Sequence, residues 1–267
     1  MFTFIKVLIF GFVEGLTEFL PVSSTGHMII LERWLTLQGS EDFATTFMIV
    51  IQLPAILAVV LYFRKKLFPF YPGTDTPAVF LLWIKIAVAF IPAALLGFLF
   101  DDYIESLFFN PFSVSLALIV GGIVLYFIER SVRKVRFERV AEIGFLLALC
   151  IGLFQCLAMM PGVSRSAATI IGALLLGAAR PAAAEFSFFL AIPTMLGATV
   201  YKSLKSGLTL EPIEWLWIGV GGLVAFMTAY AVIAAFMRYI QQRDFKIFAI
   251  YRIALGSLLL VLLWMQS

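Results

Sequence analysis

Two short stretches hold nearly all the residues able to do chemistry in an otherwise apolar chain. EGLTEFLPVSSTGH places Glu14, Glu18, Ser23, Ser24, Thr25 and His27, the single histidine, within fourteen residues. PGVSRSAAT places Arg165 between Ser164 and Ser166, with Thr169 four residues beyond Arg165. Glu14 and Glu18 share one helix face at this spacing. Such a pair holds a divalent cation, moves protons, or simply sits wetted at a helix end. A planar guanidinium with five donors suits an anionic oxygen group. One serine is enough to cap a helix, so capping alone accounts for neither three hydroxyls nor the histidine. The residues after Gly26 and after Arg165 would open helices, whose free N–H groups and positive dipole ends also attract anions. Brought together, the two stretches make a phosphate or diphosphate site with carboxylates for a cation, dry enough to strengthen each contact.

The surroundings explain why these polar groups need such a purpose. The chain has 267 residues, of which 63% are hydrophobic and 13% charged, against about a quarter charged in soluble domains. Its mean hydropathy is +1.05. FATTFMIVIQLPAILAVVLYF (43–63) and PFSVSLALIVGGIVLYFI (111–128) contain no charge, and each is long enough to cross ~30 Å of hydrocarbon as a helix. A β-barrel would show shorter, alternating segments. The reading is an all-α integral membrane protein. Its net charge of +3 comes from clusters in short loops, which gives no sign of nucleic-acid binding. Cys150 and Cys156 are six apart and fall on different helix faces, unsuited to a disulfide or a metal pair. The opening MFTFIKVLIFGFVEG lacks a small-residue cleavage site and reads as mature structure.

The chain also repeats itself. Pro21 and Ser24 match Pro161 and Ser164, and Phe47, Pro54, Leu57 and Tyr62 match Phe186, Pro193, Leu196 and Tyr201 at the same spacings. Apolar runs at 80–100 and 111–128 are answered by 215–236 and 247–264. One membrane domain therefore divides into repeat one, 1–135, and repeat two, 136–267. Each has a broken segment (2–36 and 143–179) followed by three unbroken spans. The broken segments read as re-entrant helical hairpins, tolerated at depth only where protein or a wet cavity surrounds them. Three spans per half is an odd number, which makes the repeats inverted. Arg64, Lys65, Lys66, the run 129–139, Arg238, Arg243 and Lys246 would then share one side, with Asp101, Asp102, Glu105, Lys202 and Lys205 on the other. The basic side is cytoplasmic by the positive-inside rule. Both termini then lie outside, and the broken helices meet near the midplane, where transporters of this design bind their substrates.

The two polar stretches resemble the signature segments of the bacterial undecaprenyl-diphosphate phosphatase family, the bacitracin-resistance type of lipid phosphatase. VIQLPAILAVV (50–60), SLFFNPFSV (106–114) and AAEFSFFLAIPTMLGAT (183–199) extend the likeness over nearly the whole chain. The resemblance implies hydrolysis of undecaprenyl diphosphate to undecaprenyl phosphate and inorganic phosphate, which recycles the lipid carrier of cell-wall synthesis. It also implies a multi-pass protein of the bacterial inner membrane, surrounded by lipid, with a site opening outward. It further implies dependence on a divalent cation (Mg2+ or Ca2+) and a homodimer. Carried onto this chain, Glu14 and Glu18 become metal-binding or acid/base carboxylates, and His27 an acid/base or nucleophile. Ser24 becomes a nucleophile or phosphate ligand. Arg165, with Ser23, Thr25, Ser164, Ser166 and Thr169, holds the diphosphate. A covalent phospho-enzyme and direct attack by water both stay open, since phosphoryl transfer is mainly positioning and charge stabilisation.

The rival is a transporter or flippase that moves polyprenyl phosphate lipids, alone or beside hydrolysis. The concentration of Glu14, Glu18, Ser24 and His27 exceeds what binding requires. A purely structural membrane protein leaves Arg165 and the carboxylates unexplained. Among lesser residues, Gln52 lies near Pro54. Glu185 reads as a carboxylate favoured by a helix N-terminus or as support for the site. Lys85 and Arg252 read as snorkelling at span ends, and Asp101 and Asp102 as exposed loop charges. The basic run 130–139 reads as a topology signal that also touches anionic lipid.

Overall fold

In a computed structural model of the protein, residues 2–40, 42–131, 134–206 and 210–265 are described. Val132 and Arg133 of the basic run, and the side chain of Lys205, lie outside them. The regular structure of the described residues is helical, apart from one isolated β-bridge between Phe137 and Ala178. In chain order the α-helices are α1 (Phe2–Thr17), α2 (Ser24–Trp34), α3 (Phe43–Val50), α4 (Gln52–Tyr62), α5 (Arg64–Leu67), α6 (Thr76–Phe108), α7 (Pro111–Arg130), α8 (Phe145–Gln155), α9 (Arg165–Leu175), α10 (Arg180–Ser206), α11 (Pro212–Ile240) and α12 (Lys246–Trp264).

Among the described residues six segments are long and apolar enough to cross a membrane: Phe43–Tyr62, Thr76–Phe108, Pro111–Arg130, Arg180–Leu204, Pro212–Ile240 and Lys246–Trp264. Their order, three after each broken segment, is the order expected from the sequence. The apolar side chains they leave exposed, such as Phe98 at 71% and Leu223 at 60%, suit a lipid surround rather than water. Starts are set by local chemistry. Asp75 accepts from Ala78 N at the head of α6, and Asn110 from Ser113 N at the head of α7, each followed by a proline in the first turn, where its missing N–H costs nothing.

The two broken segments contain no helix of spanning length. Helix α1 has 16 residues and α2 has 11, or about 24 and 16 Å at the α-helical rise. Helix α2 runs back along α1, since the Lys6 ammonium donates to Thr36 O at 2.7 Å. Helix α9 likewise folds onto α8, with Gly172 against the Phe154 ring. Helix α1 packs on α11 and α8 on α6, and α7 pairs with α12. Backbones approach closely where glycine removes the side chain: a Cβ on Gly152 would collide with the Ala89 carbonyl.

Charges sort to the two ends. Lys66 pairs with Glu185 at 2.7 Å, and Arg180 with the buried Glu129 at 2.6 Å. At the far end of α10, Lys202 reaches Glu105 at 3.0 Å. Two side chains expected to snorkel are buried instead. Lys85 donates to Ala141 O at 2.9 Å, and Arg252 is 0% exposed. Both sit inside their helices with backbone carbonyls of neighbouring segments within reach. Asp101 and Asp102 belong to the last turns of α6, not to a loop, because the helix continues to Phe108. Glu185 lies in the second turn of α10, beyond reach of its N-terminus, and serves Lys66. Cys150 and Cys156 are both free.

Candidate active site

The turns that interrupt the two broken segments meet. Each ends at a serine in a backbone conformation that side chains rarely adopt: Ser23 at φ 71°, ψ 99° and Ser164 at φ 71°, ψ 117°. Each hydroxyl caps the next helix, accepting from Gly26 N at 3.4 Å and from Ala167 N at 3.3 Å. Ser23 and Ser164 are thus the equivalent caps, one residue off the match of Ser24 with Ser164 suggested by the prolines. Gly162, at φ 93°, is the extra residue between proline and cap, and few other residues tolerate that angle. In this register Ser24 corresponds to Arg165, each being the first residue of its helix.

Both first residues converge on Glu18. The Ser24 hydroxyl donates to one carboxylate oxygen at 2.5 Å, and Arg165 Nη2 to the other at 3.4 Å. Arg165 is fixed from behind by Nη1, which donates to Ser187 O at 2.9 Å, while its buried Nε has no hydrogen-bond partner. Glu14 lies one helical turn before Glu18, beside it and 1% exposed, with its Oε1 unpartnered. Two carboxylates and one guanidinium therefore share a nearly dry site, leaving one negative charge that a proton or a cation must balance.

A cavity of about 410 Å³ opens from this point. Glu18, Ser23, Ser24, Thr25, Ser164 and Arg165 line its base, with Gln52 and Gln155 beside them. Phe90, Ala94, Gly97 and Phe98 of α6 face Met195 and Ala198 of α10 along its walls, and Asp101 and Lys202 stand at its mouth. Polar donors at the base and a small-residue apolar slot above suit an amphiphile with an anionic head.

Four residues expected at the site do not line the cavity. Glu14 stands behind Glu18. Ser166 is buried, donating to Leu20 O at 2.8 Å across the two turns. The Thr169 hydroxyl lies 2.6 Å from Ser187 Oγ. The Nδ1 of His27 is 2.7 Å from Ser23 O and carries a proton, since a carbonyl only accepts; in the neutral ring Nε2 then accepts from Tyr251 OH, 2.6 Å away. His27 therefore faces α12. Ser166 knits the two turns together, and Thr169 ties α9 to α10. Gln155, Thr194, Tyr251 and Arg252 were not expected here. Gln155 donates to Thr194 Oγ1 at 3.1 Å. A polar or charged side chain amid apolar neighbours was the available signal for all four.

Two carboxylates are few for a metal centre, and no group of three ligating side chains occurs among the described residues. Glu14 and Glu18 still suit a hard cation that takes its remaining oxygens from water and phosphate. The unpartnered Glu14 oxygen is the observation that favours it.

Residues 7–258 match the family described as bacitracin resistance protein BacA. The chain is 50% identical over 258 residues to undecaprenyl-diphosphatase 1 of Clostridioides difficile, covering 96% of this chain and 94% of that one. It is 47% identical over 265 residues to the undecaprenyl-diphosphatase of Enterococcus faecalis, covering 97% and 96%. A Fusobacterium nucleatum undecaprenyl-diphosphatase is also 47% identical, over 97% of this chain and 100% of its own.

Proposed function

The chain belongs to the bacitracin resistance protein BacA family, and on that premise we propose how it acts as an undecaprenyl-diphosphatase. The reaction cleaves undecaprenyl diphosphate into undecaprenyl phosphate and inorganic phosphate. The head group enters the base of the cavity, and the polyprenyl chain leaves between α6 and α10. Arg165 and the first turns of α2 and α9 hold diphosphate oxygens. The Glu18–Arg165 contact, at 3.4 Å, is long and single, so an incoming oxyanion can take the guanidinium over. Glu14 and Glu18 would hold a divalent cation, Mg2+ or Ca2+, which when bound offsets the charge of the diphosphate.

The observation that carries hydrolysis over carriage is the 2.5 Å hydrogen bond from Ser24 to Glu18 at the cavity base. A hydroxyl donating to a buried carboxylate is the arrangement of a nucleophile with its base. Ser24 Oγ gives its proton to Glu18 and attacks the terminal phosphorus. The bridging P–O bond breaks, and undecaprenyl phosphate departs with that oxygen, which takes the proton from Glu18. Glu18, ionised again, takes a proton from water as that water attacks the phosphorus, and returns it to Ser24 Oγ as the P–O bond to serine breaks and inorganic phosphate leaves. Substrate labelled on the terminal phosphorus tests this. The label should appear as inorganic phosphate and transiently on the wild-type protein, and not on Ser24→Ala. Binding of the lipid without release of label would favour the flippase reading.

Two inverted repeats with re-entrant hairpins form part of the same proposal. The matched positive-φ caps and the paired packing of α1 on α11 and α8 on α6 support it. The end bearing Lys66, Arg180 and Lys246 would face the cytoplasm, and the cavity mouth at Asp101 and Lys202 the outside. A membrane-impermeant thiol reagent on intact cells should label Asp102→Cys and spare Glu138→Cys; the reverse pattern inverts the orientation. A homodimer is retained from the family resemblance, and light scattering of the detergent-solubilised particle tests it.

A further inference from the structure

Arg252 is the largest fully buried side chain among the described residues, and its guanidinium is spent on backbone. Nε donates to Leu118 O at 3.4 Å, Nη1 to Pro21 O at 3.4 Å, and Nη2 to Ala117 O and Gly162 O, both at 3.2 Å. Pro21 and Gly162 each stand two residues before a strained cap, Ser23 and Ser164. One side chain of α12 therefore ties both turns to each other and to α7. Its neighbour Tyr251 holds the first turn again, through His27 to Ser23 O.

The surrounding sequence makes room for this. A Cβ on Gly121 would fall on the guanidinium, and one on Gly256 would meet Ser115 O at 2.7 Å. A cation buried on carbonyls with no carboxylate is a costly way to fill space, and an apolar side chain of the same volume would be cheaper. What the guanidinium offers and an apolar group lacks is a rigid fork that fixes several acceptors at once.

We propose that Arg252 is a positioning residue. It holds the turn before Ser23 and the turn before Ser164 at the separation that brings Glu18, Ser24 and Arg165 together, without itself lining the cavity. The proposal rests on the phosphatase reading only for its kinetic test. Lysine at 252 concentrates its donors on one nitrogen and cannot bridge both turns.

The test compares wild type with Arg252→Lys, Arg252→Met and Gly121→Ala, the last displacing the guanidinium while keeping it. For each folded, monodisperse preparation, kcat and KM are measured with farnesyl diphosphate. The separation of spin labels at Phe12→Cys and Leu157→Cys, both half-exposed in the parent, is measured with Cys150 and Cys156 replaced by serine. The expected result is a kcat reduced on the order of 10²-fold, from a small misplacement of reacting groups, with KM within about threefold of wild type. The label distribution should broaden or shift in all three variants. Wild-type kcat per folded molecule, or an unchanged distribution, in Arg252→Lys or Gly121→Ala overturns the proposal. If the wild type itself releases no phosphate, the phosphatase reading fails, and the distance measurement alone decides this one. If neither Arg252 variant folds, Gly121→Ala decides it.

Discussion

Glu18 and Arg165 stand 147 positions apart in the chain and meet at 3.4 Å, with 10% and 11% of their side chains exposed. The pair joins the two broken segments at the one place where each carries chemistry. Removing Glu18 takes the acceptor from both the guanidinium and the Ser24 hydroxyl, and breaking a buried pair in this way costs about 3–5 kcal/mol. Glu18→Gln should therefore melt well below wild type in detergent. A Glu18→Gln/Arg165→Met double variant should recover most of that loss and remain inactive. Additive melting losses would show that the two side chains do not interact.

Glu14 makes the opposite prediction. Its carboxylate is the surplus charge, so Glu14→Gln should be at least as stable as wild type while losing its response to cations. Wild type should melt higher as Mg2+ or Ca2+ is raised, because a ligand bound only by the folded state stabilises it. An equal cation-dependent rise in Glu14→Gln would remove the carboxylate pair from the cation's site.

The serine caps separate strain from capping. At φ 71° glycine relieves about 1–3 kcal/mol of backbone strain and costs only a few tenths as a cap. Alanine loses the cap and keeps the strain. Ser23→Gly and Ser164→Gly should then melt above the corresponding alanine variants. Thermal melts with the same order reversed would mean that the turns do not hold this backbone.

How much of this was legible in the sequence depends on depth and on charge. The spans were readable because an unbroken apolar run admits few folds in lipid, and the observed six follow the expected order. Glu18, Ser24, Ser23, Thr25, Ser164 and Arg165 were readable because polar residues amid apolar ones demand partners, and they line one cavity. Arg252 was misread as snorkelling. Its position in α12 does not reveal that two distant turns place Pro21 and Gly162 carbonyls within its reach. The cap register was also hidden, since matching the prolines conceals the single inserted glycine. Asp101 was taken for a loop charge because the apolar run ends at residue 100, whereas α6 runs seven residues beyond Asp101, to Phe108.

The slot between α6 and α10 predicts chain-length dependence. A Cβ on Gly97 meets nothing within 4 Å, and the residue lines the cavity. Gly97→Phe should raise KM for undecaprenyl diphosphate about tenfold, the loss of about 1.4 kcal/mol of uniform binding. The KM for farnesyl diphosphate, whose chain ends sooner, should change less. Equal effects on both substrates would place the long chain elsewhere.

The most direct measurement is phosphate release from the purified, detergent-solubilised protein given undecaprenyl diphosphate, with and without EDTA, beside folded Glu18→Gln and Arg165→Ala. The account predicts release by wild type, loss of release with EDTA and its return on adding Mg2+ or Ca2+. It predicts at least a 10²-fold reduction in both variants, the scale expected when a charged group acting on the transition state is lost. Undiminished release by either folded variant would contradict a site built where the two turns meet.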